Sequence, residues 1–181
     1  MPSGSDMMAA AQAQARELGY KPYMLAAWMQ AEAREAGQVI ANIASTVERL
    51  GQPVEPPCAL FTGGELLVTV GRETGIGGRN QEFALAAARK IAGSRRIVIG
   101  AVDTDGTDGP GTQFADGQSG IPPLGGGIVD GETMREAAAR GVDVEAELRR
   151  HNTSPALWAL DSGVWLSQNI SVCDFGVVLV M

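Results

Sequence analysis

The chain has 181 residues, 45% apolar and 19% charged, which is enough for one domain or two small lobes with a core. Its net charge of −7 and sequence pI near 4.7 exclude the basic footprint of a nucleic-acid-binding protein. An acidic chain can still hold a phosphate locally, through backbone N–H groups and an arginine.

Cys58 and Cys173 are the two cysteines. They form neither a disulfide framework nor a CxxC metal spacing, and a reduced, cytoplasmic setting is expected. The sequence has no apolar run long enough for a membrane span. Its start, MPSGSDMMAA, lacks the basic and apolar regions of a signal peptide. With aromatics at 5%, the core must come from Ala, Val, Ile and Leu. The glycines concentrate between residues 63 and 131, which points to loops that approach something closely.

In chain order, residues 7–18 are Ala-rich and read as a helix, with Ser5 or Asp6 as cap and Gly19 as stop. Residues 21–27 read as a short strand. Residues 28–50 read as a long helix whose stripe is Ala36, Ile40, Ile43, Val47 and Leu50. GQPVEPP at residues 51–57 is a Pro-rich connector and the expected lobe boundary. Strands are expected at residues 59–62 and 66–70, on either side of Gly63, Gly64 and Glu65. A glycine-punctuated loop at 71–78 leads into a helix at 79–91, with Phe83, Ala84, Ala87, Ala88 and Ile91 on one face. Residues 96–102 read as a β-branched strand, and residues 103–127 as a long loop of the kind that is functional or disordered. Short helices are expected at 131–140, 143–150 and 155–160, and closing strands at 164–166 and 176–180. This alternation predicts a layered α/β protein.

Three constellations carry chemistry. GIGGRNQE at residues 75–82 opens a helix, where unpartnered N–H groups and the dipole favour an anion. Arg79 is a cation at that helix start, which disfavours the helix by roughly 0.3–1 kcal/mol. Either its planar fork meets a phosphate or carboxylate, or it pairs with Glu82 or another acid of the protein. This is neither a P-loop nor a dinucleotide fingerprint. Next, Asp103, Asp105 and Asp108 follow the strand at 96–102, where α/β sheets collect ligands. They form either a Mg²⁺ or general-base site, or a solvated turn held by Asx bonds. An EF-hand fits poorly. Finally, at Gly63, Gly64 and Glu65 either bare backbone touches a ligand and Glu65 binds a hydroxyl, or the glycines form a tight turn. His151, the only histidine, reads as a cap or loop residue beside Asn152. No GxSxG elbow supports a hydrolase triad. Trp28, Trp158 and Trp165 read as core or lobe-contact residues.

Ordered blocks then resemble one family: AEARE at 31–35, TGGE at 62–65, GGRNQEFAL at 77–85, DTDGTDGP at 103–110 and GGIVDGET at 126–133. They look like the C-terminal part of glycerate 2-kinase carrying a MOFRL domain, a bacterial and archaeal group often labelled hydroxypyruvate reductase. The likeness runs over roughly residues 5–181. It implies a two-lobed α/β enzyme that uses ATP and Mg²⁺ to phosphorylate glycerate to 2-phosphoglycerate in the cleft between lobes, where positioning and charge neutralisation dominate. By this resemblance Arg79, Asp105 and Asp108 are the expected catalytic residues, and Asp105 and Asp108 the metal ligands. Gly77, Gly78, Asn80, Glu82, Glu65 and Asp103 are expected to bind substrate, with Glu32 supporting the cleft. The expected partners are a small hydroxy-acid and a nucleotide, with no nucleic acid or membrane. A homo-oligomer or a separate N-terminal lobe stays open.

Family enzymes are longer, and the expected missing part is an N-terminal, Rossmann-like lobe with a catalytic lysine. Residues 1–54 then read as a helix-and-strand remnant of that lobe and 55–181 as the MOFRL-like α/β domain, incomplete as a catalyst alone. The alternatives are a stand-alone, non-catalytic module that binds a small anionic metabolite or a partner protein, or a truncated product with no ligand. Where the family carries GPTGTNVND, residues 166–174 read LSQNISVCD, with Asn169 and Asp174 in agreement. Residues 111–125 read as an insertion.

Overall fold

The computed structural model describes residues 3–73, 75–110, 120–167 and 173–181. Asn169 and residues 111–119 of the expected insertion lie outside them. Six strands form one sheet: β1 (Lys21–Met29), β2 (Cys58–Gly64), β3 (Ile97–Asp103), β4 (Gly126–Asp130), β5 (Gly163–Val164) and β6 (Asp174–Val180). Their spatial order is β1-β2-β6-β3-β4-β5. β1 and β2 are parallel, and every other neighbouring pair is antiparallel. The carboxyl ends of β1, β2 and β3 and the start of β6 therefore share one edge of the sheet.

The helices are α1 (Gly4–Glu17), α2 (Ala33–Leu50), α3 (Arg79–Ile91), α4 (Thr133–Arg140), α5 (Val144–Arg149) and α6 (Thr153–Ala159). Strand alternation sorts side chains to two faces. Cys58, Leu60, Ile97, Ile99, Val178 and Val180 face the main core under α2 and α3. Ala59 and Phe61 face α1, where Met8 and Ala15 cover them. Every residue of α3 from Asn80 to Ala88 is buried. A helix covered on all sides needs small side chains, and its run of alanines supplies them. Gly37 of α2 allows the closest approach, because a Cβ there would stand 2.2 Å from the Phe83 carbonyl oxygen. Among the described residues no helix is long and apolar enough to cross a membrane.

Several expected elements shift. The first helix starts at Gly4, with Ser3 as N-cap in a reciprocal capping box with Asp6, rather than behind Ser5 or Asp6. The long helix begins at Ala33, not residue 28, because Met29 still pairs with Gly64 in β1. At its far end Leu50 leaves the apolar stripe and is exposed. No strand forms at residues 66–70. Gly64, at φ +135°, turns the chain off the sheet, and a single bridge joins Leu67 to Glu32. β4 emerges from the end of the expected 103–127 loop, its Val129 buried and its Ile128 half-exposed. Trp28, Trp158 and Trp165 are not core residues, and Trp28 is 90% exposed.

Candidate functional site

The motif RNQE begins α3, and four consecutive helical residues sweep a full turn at about 100° each. Each side chain therefore reaches a different neighbour. Arg79 Nε donates to both carboxylate oxygens of Asp174 at 2.8 Å, and its Nη2 donates to Asp103 Oδ2 at 2.7 Å. Asp103 and Asp174 face each other in register where β3 and β6 meet. One guanidinium thus clamps two buried carboxylates at the ligand-collecting edge of the sheet, with Nη1 making no hydrogen bond among the described residues. Asp174 also accepts from Leu66 N at 2.6 Å and Asn80 Nδ2 at 2.7 Å. Burial opposes the Arg79 charge, but the hydrogen bond to Asp174 and the fields of Asp174, Asp103 and Asp108 outweigh it and raise its pKa. Burial likewise lifts the Asp103 carboxyl, against the lowering pull of the Asp105 N–H and Arg79.

Asp108 lies under the helix end. Its Oδ1 accepts from Asn80 N at 3.1 Å and its Oδ2 from Gln81 N at 2.9 Å, so it caps α3 from a distant loop. The N-cap position itself is Gly78, where a Cβ would stand 2.3 Å from the Asp108 Cγ. Gly78 is bare so that Asp108 can act as the cap. Burial drives the Asp108 pKa up to about 6, against the lowering effect of the Gln81 and Asn80 donors. Gln81 is fully buried. It donates to the Asp108 carbonyl at 2.9 Å and accepts from Ser154 Oγ at 2.6 Å.

Glu82 is buried between two elements. Its Oε1 stands 2.5 Å from His151 Nδ1, and its Oε2 stands 3.5 Å from Arg34 Nη2. Arg34 also donates to the Leu148 carbonyl at 2.8 Å. His151 holds φ at +53°, a left-handed conformation uncommon outside glycine, of the kind that clusters at functional sites. Gly75 and Gly77 press against this turn: a Cβ at Gly75 would meet the Arg150 carbonyl oxygen at 2.0 Å, and one at Gly77 the Thr153 hydroxyl at 2.2 Å. Gly75 makes room for the protein's own backbone and Gly77 for the Thr153 hydroxyl.

The expected site residues divide accordingly. Arg79, Asp103, Asn80 and Asp108 come together. Glu82 turns away to His151, and Glu65 is exposed at the rim beside Arg79. Asp105 binds its own turn, accepting from Thr107 N at 2.8 Å. Glu32 accepts from Thr69 N at 3.1 Å, and its pKa is lowered by bonds from the Thr69 hydroxyl and N–H. Among themselves these residues form no closed metal cage. Among the described residues no three of His, Cys, Asp and Glu converge on one point, and N–H donors occupy both Asp108 oxygens. Asp174 and His151 are the functional candidates that sequence reasoning missed. Asp174 could have been found from its agreement with the family's C-terminal loop.

Two clefts flank Arg79. One of about 790 Å³ lies between α1 and the sheet edge, lined by Met8, Gln12, Trp28, Glu65 and Cys173. The other, of about 480 Å³, is lined by Glu65, Leu67, Glu73, Gly77, Glu82 and His151. A smaller space of about 10 Å³ lies against Asn80 and Thr62. Buried Asn80 Oδ1 has no partner among the described residues, and this space suits one water molecule.

The MOFRL family matches residues 58–169. Glycerate 2-kinase of Pyrococcus horikoshii is 42% identical over 80% of the chain, and D-glycerate 2-kinase of Thermotoga maritima 40% identical over 79%. The chain spans 30% and 31% of those relatives' lengths. The crystal structure of a Thermotoga maritima glycerate kinase superimposes with a TM-score of 0.89 at 33% identity, over 99% of this chain and 41% of that one. With the motif clamp, the sheet order and these matches in agreement, the chain belongs to the MOFRL family.

Proposed function

We propose that the chain is one part of a glycerate 2-kinase-type phosphotransferase, which moves the terminal phosphoryl group of ATP to the 2-hydroxyl of glycerate. The supporting observation is the Arg79 clamp: a cation held rigid by Asp103 and Asp174 at the sheet edge, with Nη1 unbonded among the described residues and a cleft on either side. Arg79 orients an anionic group through that free donor. Glu65 and Asp103 accept from substrate hydroxyls, while Asp108 and Asn80 hold the helix end that carries Arg79. The glycerate kinases it resembles are more than twice as long, and their further polypeptide is needed to hold ATP with its divalent cation. In this reading residues 1–54 lead out of that other lobe and pack into the same core as the MOFRL unit of residues 55–181, and the chain alone is incomplete as a catalyst.

Arg79→Lys in the complete polypeptide keeps the charge but cannot form the same planar bridge. Glycerate-dependent ADP release is expected to fall by about 10²-fold in kcat/KM. Unchanged kinetics would remove Arg79 from the site. A parent that makes no ADP in response to glycerate would sink the kinase reading itself.

A further inference from the structure

His151 takes its contacts from one block, GIGGRNQE, and the AEARE block joins it through Glu82. Glu82 of the RNQE turn receives its Nδ1, Arg34 of AEARE holds the other Glu82 oxygen, and Gly75 and Gly77 shape the loop around its backbone. A buried carboxylate behind one ring nitrogen fixes the tautomer and leaves the other nitrogen as acceptor. Nε2 has no hydrogen-bond partner among the described residues, and His151 is one of the residues that line the 480 Å³ cleft that also contains Arg79. Purely structural bracing would not require a ring on the cleft wall, since Arg34 and Glu82 already tie α2 to α3.

Resting on the kinase reading above, we propose that His151, oriented by Glu82, is the catalytic residue that accepts the proton of the substrate hydroxyl. As the hydroxyl oxygen bonds to the terminal phosphorus, its proton passes to the Nε2 lone pair and the bond from phosphorus to the ADP oxygen breaks. The imidazolium so formed is stabilised by Glu82 and later returns its proton to water. The charged groups around the ring are Glu82 and Arg34 on the core side, Glu65, Glu73 and Arg79 along the same cleft, Glu32 within its electrostatic reach, and the Arg150–Glu147 pair in its own turn.

The test uses the complete polypeptide with ATP and glycerate. His151→Ala is expected to lower kcat by about 10²–10⁴-fold with little change in glycerate KM. It should also abolish the fall in rate on the acid side of the parent's pH profile, because a protonated imidazole cannot accept a proton, and added imidazole should restore part of the rate. Independently of turnover, ¹⁵N NMR of the parent should show His151 as the Nδ1–H tautomer. A His151→Ala enzyme that keeps the parent's kcat and acid limb, or an Nε2–H tautomer in the parent, overturns the assignment. If the parent itself phosphorylates no glycerate, the kinase reading fails and this inference fails with it. An active parent with an unaffected His151→Ala variant sinks this inference alone.

Discussion

Arg79 occupies a helix start that disfavours a cation, yet two carboxylates and a third nearby reverse that preference. Removing it leaves Asp103 and Asp174 buried and opposed across β3 and β6. Arg79→Ala is expected to destabilise the chain by about 2–4 kcal/mol in urea unfolding, toward the lower end because the arginine is partly exposed. A loss below about 0.5 kcal/mol would mean solvent already screens the clamp. Asp108 allows a second measurement. An unfolded aspartate titrates at about 3.9, while buried Asp108 titrates at about 6. The folded chain therefore binds this proton first as pH falls. The stability it contributes is full below about pH 4 and is lost as pH rises through about 6. NMR titration of its carboxyl carbon should give a midpoint near 6; a midpoint below 4 would show that the N–H donors fully compensate burial.

Element packing depends on where side chains are missing. α2 and α3 touch through Gly37 against the Phe83 backbone, a contact with no space for a methyl group. Gly37→Ala is expected to cost about 1–3 kcal/mol by overpacking, more than the gain in helix propensity. Gly93→Ala is the control: nothing stands within 4 Å of its Cβ position, so only its positive φ matters, at about 1 kcal/mol. Equal melting shifts for the two would disprove close α2–α3 packing. The periodicity of α3 placed that helix correctly at Arg79–Ile91. Residues 66–70 misled because their apolar pattern looks like a strand, while Gly64 turns them off the sheet and Asp174 binds Leu66.

At the scale of the whole molecule, the proline-rich connector does not separate two packing units. β1 pairs with β2 across it, and α2 packs against α3 in the same core. A chain starting at residue 55 would lose β1 and α2 and expose one side of α3. It is expected to show no cooperative thermal transition, whereas the 181-residue chain is expected to unfold in one step. A sharp transition in the shorter chain would mark residues 55–181 as self-sufficient.

Sequence by itself determined the layered α/β class, the helix at Arg79–Ile91, the acidic character and the family blocks, because these depend on local periodicity and on residues adjacent in the chain. Which groups meet was decided only by tertiary structure. Asp174 is 95 residues from Arg79, His151 is 69 from Glu82, and Asp108 caps a helix 28 positions upstream. Contacts of that span follow from how strands order in the sheet, and no local pattern encodes that order. The same holds for the glycines: their abundance signalled close approach, and the fold showed that at Gly37, Gly75 and Gly126 the neighbour is the chain's own backbone.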